Sequence, residues 1–457
     1  MQAVRVALFV SLVWGSARAD GLVIAGGSPR AIGRAGVGTA SDDGGGALLV
    51  NPAAIARRDT TRVQLGATFV DDAIEWRDAV SAPPAHDQSG SSTLPFAAIE
   101  SGVGGWVLGA AVMTSTASDR SFATPGRNPT SSFGEMFDDR YAGLAGSIRR
   151  DTVTAGGARR IGESVAVGAA FAISRVEIGE LRAVWANHVQ APGGDPSRGV
   201  FDANHDVELA LDAVDWISPS VVAGVLVAPP DTHVELAASV AWTADIHASG
   251  DASATRWATD AMTTPGVTVT GASGRAWLDV RQPITVRTAA RWAGDRWAAE
   301  INGDLWIFPR QADETSWGLS GIRVVDASNV AADVTRLPSR ISTRSHGAIR
   351  GALDVELIEG FLWATGGYAY TTSSTGTAHL STTFGELGGH TAALGLEVAA
   401  GGFTISLGWA RQWSVKRALS GSAWQHDNPF GSPDAAIPGG TYDGSSDMVG
   451  IAVDAER

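Results

Sequence analysis

QPITVRTAARWAGDRWAAEINGDLWIF (Gln282–Phe308) is written in a two-residue period. Ile284, Val286, Thr288, Ala290 and Trp292 alternate with Thr285, Arg287, Ala289 and Arg291. After Gly294-Asp295, Trp297, Ala299, Ile301, Gly303, Leu305 and Ile307 alternate with Ala298, Glu300, Asn302 and Asp304. Successive strand side chains point to opposite faces, so this is a hairpin with one apolar and one charged face. Pairing Ala293 with Arg296 places Trp292 opposite Trp297, Arg287 opposite Asn302 and Arg291 diagonal to Glu300. Tryptophans at the rim of an apolar face, backed by charge, describe a membrane barrel hairpin whose polar face lines a lumen.

His390–Trp413 repeats the design around Ala400-Gly401. Leu394, Leu396 and Val398 return as Phe403, Ile405 and Leu407, and the other face carries Ala393, Gly395, Glu397, Thr404, Ser406 and Gly408. Small residues suit a filled lumen better than a hydrated sandwich surface. Further alternating runs cover 61–71, 94–99, 106–115, 140–150, 153–160, 164–176, 207–215, 218–227, 234–244, 346–356 and 361–371. At roughly 30 residues per strand and its share of loop, the chain makes about 14 strands, an even number that suits a closed antiparallel barrel. Short turns alternate with long connections at 182–206, 245–274, 309–344 and 416–446, which read as periplasmic turns and extracellular loops. No 20–50-residue repeat points to a propeller or solenoid.

Composition agrees. Among 34 basic residues only Lys416 is a lysine, which is unusual for a hydrated surface, and there are 56 Gly and 16 Trp. Met1–Ala19 has the layout of a secretory signal, with Arg5, the apolar run Val6–Trp14 and the small-residue site Ala17-Arg18-Ala19. Its removal moves the formal charge from −14 to −16, which disfavours nucleic-acid partners. The chain has no cysteine, so disulfides, thiolate metal sites and lipoprotein anchoring are excluded. The expected division is a signal at 1–19, an N-terminal segment at 20–59 and a barrel at 60–457, all-β in class.

The segment 20–59 is too apolar for a disordered tail and too rich in glycine for an independent domain, so it needs a cavity to sit in. It carries Arg30-Ala31-Ile32-Gly33-Arg34-Ala35-Gly36, then Ser41-Asp42-Asp43, then Asn51-Pro52-Ala53, directly before the first strand. In that order and spacing these resemble the FadL/TodX outer-membrane transporters of long-chain fatty acids and aromatic hydrocarbons. Later hairpins, Val225–Ser249 among them, extend the resemblance over most of the chain. It implies a 14-stranded barrel in the outer membrane of a Gram-negative bacterium, with the N-terminal segment as a hatch in the lumen. Its ligands would be hydrophobic small molecules, released through a gap in the wall, and its surroundings outer-membrane lipid, lipopolysaccharide and the barrel-assembly machinery. It implies no enzyme activity and no cofactor.

Within that reading Arg30, Asp42, Asp43, Asn51 and Pro52 are hatch or gating residues. Asp42 and Asp43 anchor the hatch to lumen arginines such as Arg287 or Arg291, or simply form a turn before Gly44. Asn51-Pro52 stops the hatch or takes part in gating. Gly102, Gly104, Gly105 and Gly109 are turn glycines, or mark a strand weak enough to open laterally. Arg287, Arg291, Glu300, Asn302 and Asp304 form the polar lumen wall.

No G-x-S-x-G, H-E-x-x-H or P-loop pattern occurs. The histidines His188, His205 and His426 read as solvated loop side chains, and Asp202–Glu208 as an acidic loop lacking the glycine of an EF-hand rather than a calcium site. Competing readings are an aromatic-hydrocarbon transporter, a general porin-like barrel and a secreted soluble β-rich binding protein.

Overall fold

A computed structural model describes residues 28–78, 86–122, 141, 143–187, 205–256, 266–312, 315–339, 341–376, 380–419, 424–426, 428–431, 435–437 and 439–457. The signal segment, the start of the hatch, His188 and Asp202 to Asn204 lie outside them.

Fourteen antiparallel strands close into one barrel. Six are continuous: β1 (Arg62–Asp78), β2 (His86–Val103), β3 (Trp106–Phe122), β4 (Ala145–Ile161), β5 (Val165–Trp185) and β6 (Asp206–Val227). The next four are each built from two segments: β7 (Val234–Thr243 and Ile246–Arg256), β8 (Ser273–Val280 and Ile284–Ala293), β9 (Trp297–Ile307 and Thr315–Ser320) and β10 (Arg336–Ser339 and His346–Ile358). Then follow β11 (Leu362–Thr371), β12 (Gly389–Ala400), β13 (Phe403–Ser414, extended by Arg417–Leu419) and β14 (Gly440–Glu456). β14 pairs with β1 from Arg62↔Glu456 to Asp78↔Gly440, so no edge is left open.

Alternation sets the two faces. Leu65 (58 % exposed), Phe69 (50 %), Ile301 (61 %) and Leu394 (62 %) point outward, while Gln64, Thr68, Glu300 and Asn302 are buried in the lumen. A soluble sandwich hides its apolar faces, whereas this molecule presents them in a continuous band, as lipid requires. Among the described residues no helix is long and apolar enough to cross a membrane; the strands cross instead.

The register differs from the sequence expectation. Ala293 pairs with Ala298, so Trp292 faces Ala299, Arg287 faces Asp304 and Arg291 faces Glu300. The turn is longer than two residues, closed by Gly294 N–H donating to the Trp297 carbonyl at 2.7 Å. A slip of two residues leaves every side chain on its expected face. In β12–β13 the turn is Gly401-Gly402, with φ of 61° and 82°, where a two-residue hairpin needs left-handed backbone at both positions.

The connections 245–274 and 309–344 are not simple loops, because they contain the second segments of β7 and β9, the start of the first segment of β8 and the first segment of β10. These continue the wall past the membrane and enclose an apolar core in which Leu209, Leu211, Leu278, Trp317 and Leu337 are fully buried. Asp206 is also fully buried, accepting a hydrogen bond from the Tyr141 hydroxyl at 2.7 Å, and His205 packs edge-on to Trp185. Neither residue is solvated, contrary to the loop reading.

Candidate functional site

The lower lumen is filled by the segment before β1. Pro29 starts a one-turn helix, Pro29–Ile32, where its missing N–H costs nothing. Left-handed Ala35 (φ 52°) and Gly36 (φ 81°) then turn the chain. A second turn of helix, Ala47–Val50, leads to the 3₁₀ helix Pro52–Arg57, whose N-cap is Asn51: the Asn51 side chain accepts from Ala53 N–H at 3.3 Å. The Asn51 amide also donates to the carbonyls of Thr39 (2.8 Å) and Val225 (3.3 Å), tying hatch to wall.

The wall accepts the hatch at glycines. A β-carbon on Gly224 would meet Asn51 Oδ1 at 1.9 Å, and one on Gly408 would meet Gly33 N at 2.5 Å. Backbone can approach backbone this closely only where the wall has no side chain.

Charge clamps what shape admits. Asp43 pairs with Arg58 (2.8 Å), Arg62 (3.0 Å) and Arg30 (3.6 Å). Arg30 also reaches Glu397 at 2.7 Å. Arg34 joins Asp354 (2.5 Å) and Glu300 (3.2 Å), and Glu300 additionally accepts from Ala40 N–H at 2.9 Å. Arg57 grips Glu235, which Arg291 shares at 2.9 Å. Burial alone would raise the Asp43 carboxyl, but Arg62, Arg58 and Arg30 together hold it well below the usual carboxylate range. Among the described residues its neighbour Asp42 accepts from Ser28 (3.2 Å) and Gly44 N–H (3.2 Å), and burial pushes it up to about 6 against the pull of Arg30.

The expected hatch residues fall in two groups: Arg30 pairs with Asp43 beside Asp42, while Asn51 and Pro52 lie against the wall at Val225 and Gly168. The expected anchors serve neither group's acids. Arg287 and Arg291 do not bind the acidic pair; Arg291 serves Glu235, and Arg287 donates to the Leu49 carbonyl at 3.5 Å. Asn302 bonds Thr39, and Asp304 is taken by Arg350 at 3.0 Å. Sequence reading missed Arg58, Arg62, Glu235 and Asp354 as clamp residues. Inward parity on their strands marks Glu235, Asp354 and Glu397 as lumen acids, but their partners are set by the hatch path.

Above the hatch lies a cavity of about 310 Å³. Its floor is hatch (Pro29, Leu49, Val50), and its walls include Leu94, Phe96, Met113, Trp306 and Phe308. Three arginines line it: Arg281, which pairs with Asp245 at 2.5 Å, and Arg150 and Arg287. Arg150 donates to Gln282 Oε1 at 3.1 Å, and Arg287 makes the long bond to Leu49. Among the described residues neither of these two has a carboxylate within ion-pair distance.

The cavity meets the wall where the β2–β3 ladder fails. Pairing runs from Val103↔Trp106 to Phe96↔Met113, lapses, and resumes at Ser89↔Ser121. Across that lapse Arg120 and Ser118 reach Asp72 of β1 at 2.6 and 3.3 Å, passing over Gly90. The glycines expected there lie elsewhere: Gly104 and Gly105 (φ 60° and 81°) form the tight turn, Gly102 flanks it, and Gly109 sits in regular pairing between Glu100 and Gly156. A turn glycine marks where a strand reverses, and the lapse begins only beyond Phe96.

Solved structures share this architecture. A Pseudomonas aeruginosa FadL homologue superposes with a TM-score of 0.71 at 16% identity, covering 95% of this chain and 99% of its own. The Pseudomonas putida toluene transporter TodX gives 0.65 at 12%, covering 94% and 98%, and the Ralstonia pickettii toluene transporter TbuX gives 0.59 at 12%, covering 93% and 97%. Among curated proteins no sequence match was found. The family model described as outer membrane protein transport protein (OMPP1/FadL/TodX) matches residues 10–305, and with most of its length so matched the chain belongs to that family of outer-membrane channels.

Proposed function

We propose that this channel carries long-chain fatty acids, taken up from outside, held in the cavity above the hatch and released sideways through the β2–β3 lapse. One observation carries the choice of ligand: Arg150 and Arg287 enter a cavity walled in large part by apolar side chains, and among the described residues neither has a carboxylate within ion-pair distance, since Asp304 in the same lining is taken by Arg350. A guanidinium withdrawn from water is costly unless it is paired, and a fatty-acid carboxylate supplies a charge-assisted partner. The acyl chain gains about 0.8 kcal/mol per buried CH₂, so movement between apolar sites needs no energy source. Leu94 to Phe96 and Met113 to Thr116 line both the cavity and the lapse, which supports lateral release.

A neutral aromatic hydrocarbon would gain nothing from either arginine, which makes the two readings separable. Oleate and toluene binding are to be compared in the full chain and in Arg150→Met/Arg287→Met. The expected result is an oleate Kd raised at least about tenfold, roughly 1.4 kcal/mol, with toluene changed less than about twofold. Unchanged oleate affinity, or equal loss for both ligands, would sink the fatty-acid reading.

A further inference from the structure

The four two-segment strands break side by side. β7 breaks at Ala244-Asp245, β8 at Arg281 to Pro283, β9 at 308–312 and β10 at 341–345, so the interruption runs across four neighbouring staves. Backbone groups freed by such a break must find other partners. Side chains supply three of them: Asp245 accepts from Gln282 N–H at 3.0 Å, Ser345 from Phe308 N–H at 3.0 Å, and Thr343 from Ala312 N–H at 3.0 Å. Among the described residues two backbone bonds remain, Thr343 N–H to the Ala312 carbonyl and Ala244 N–H to the Pro219 carbonyl, each 2.9 Å, and a wall held by these few bonds parts at less cost than one held by a continuous ladder.

The height of the row is fixed by what faces outward. Below it the lower segments of β7 and β9 expose Leu236, Val240, Ile301 and Leu305. Above it the upper segments of β7 and β8 expose His247, Asp251 and Arg275. Trp242, half exposed, lies directly beneath the break, at the depth where tryptophan marks the membrane surface. The cavity above the hatch reaches this row: Pro283, Phe308, Ile341 and Ser342 line it from three of the broken staves, and Trp306 stacks on His346 at 4.7 Å just inside. At the rim Arg281, 54 % exposed, pairs with Asp245 at 2.5 Å; behind it Gln282 bonds Arg150.

We propose that this row is an inlet from the outer-leaflet surface: an amphipathic acid already dissolved in the membrane passes between the broken staves, its carboxylate moving from Arg281 to Arg150 and its chain following past Phe308 and Trp306. The inlet is separate from the β2–β3 lapse and rests on the reading of the cavity as a fatty-acid site. It makes the membrane surface, rather than the water above the loops, the reservoir from which the cavity fills.

The absence of cysteine permits a direct test. Ser342→Cys is placed in the full chain and reconstituted in phosphatidylcholine vesicles. Its reaction with a maleimide bearing a bilayer-partitioning alkyl chain is compared with that of a charged, impermeant maleimide, each rate being normalised to glutathione. Faster reaction with the alkyl reagent is expected, and saturating oleate should slow it. A normalised rate equal to or below that of the charged reagent overturns the inlet, because the opening would then face water. In a second arm Ala244→Trp, in the β7 break and outside the cavity lining, fills the gap; oleate loading from donor vesicles is expected to slow at least fivefold while equilibrium binding in detergent is kept. Equal loading rates with that binding kept overturn the proposal. If the unmodified channel neither binds nor loads oleate, the transport reading fails, and the maleimide ratio still decides whether the row opens to lipid.

Discussion

The barrel is closed twice, by different means. The lower lumen is stopped by a hatch pinned through ion pairs from Asp43, Arg34 and Arg57, and the upper part by a hydrocarbon core around Leu209, Leu278 and Trp317. An ion-paired contact is lost all at once when one partner leaves, whereas an apolar core resists in proportion to the area it buries. On that difference the lower closure is expected to move and the upper one to stay rigid, with the cavity between them.

Trp317→Ala tests the rigid half. It removes a fully buried indole whose Nε1 donates to Glu180 at 2.7 Å, a loss of about 3–5 kcal/mol. Whole cells should become sensitive to added protease at the upper segments, while the conductance of single channels stays low. If conductance rises as well, the two closures are one unit. Arg34→Ala tests the movable half, leaving Glu300 and Asp354 buried without their cation at a cost of about 3 kcal/mol, on the order of a hundredfold in hatch seating. Planar-bilayer recordings should show frequent openings with protease resistance retained; silent channels would contradict a hatch held by charge.

The smallest effect concerns Asp42. Its carboxyl sits at about 6, above its ordinary value, so the protonated form is the one the folded hatch favours. Its contribution to seating is present below the ordinary value of about 4 and is lost as pH rises through about 6. Opening frequency should climb a few-fold across that window in the native chain and stay flat in Asp42→Asn. The same climb in Asp42→Asn would assign the titration to another group.

Much of this was legible in the chain. Alternation at 284–307 fixed both faces, and counting such runs led to fourteen staves. The upper segments stayed hidden for a physical reason: above the membrane the outward positions of β7 and β8 carry His247, Asp251 and Arg275, so the apolar half of the pattern, by which a membrane strand is recognised, shrinks there to Trp277. Arg30, Asp42-Asp43 and Asn51-Pro52 were singled out together because they keep a recognisable spacing. Their partners were not, since Arg62 meets Asp43, and Glu235 meets Arg57, only through a path the chain takes in three dimensions. The two-residue slip in the β8–β9 hairpin shows how parity survives where register does not.

The clamp on Asp43 also has a meaning in time. Arg62, its partner on the first strand, reaches Asp454 on the last at 3.4 Å, and Arg58 spans from Asp43 to Glu456 on that same last strand. Gln64 of the first strand accepts from the hatch at Gly45 N–H and donates to Asp454. The hatch thus bolts down over the joint between the two ends of the sheet, and this set of bonds cannot be completed before that joint is made. During biogenesis a seated hatch therefore certifies a finished cylinder, and a barrel still gaping at its seam lacks part of the latch that would stopper it.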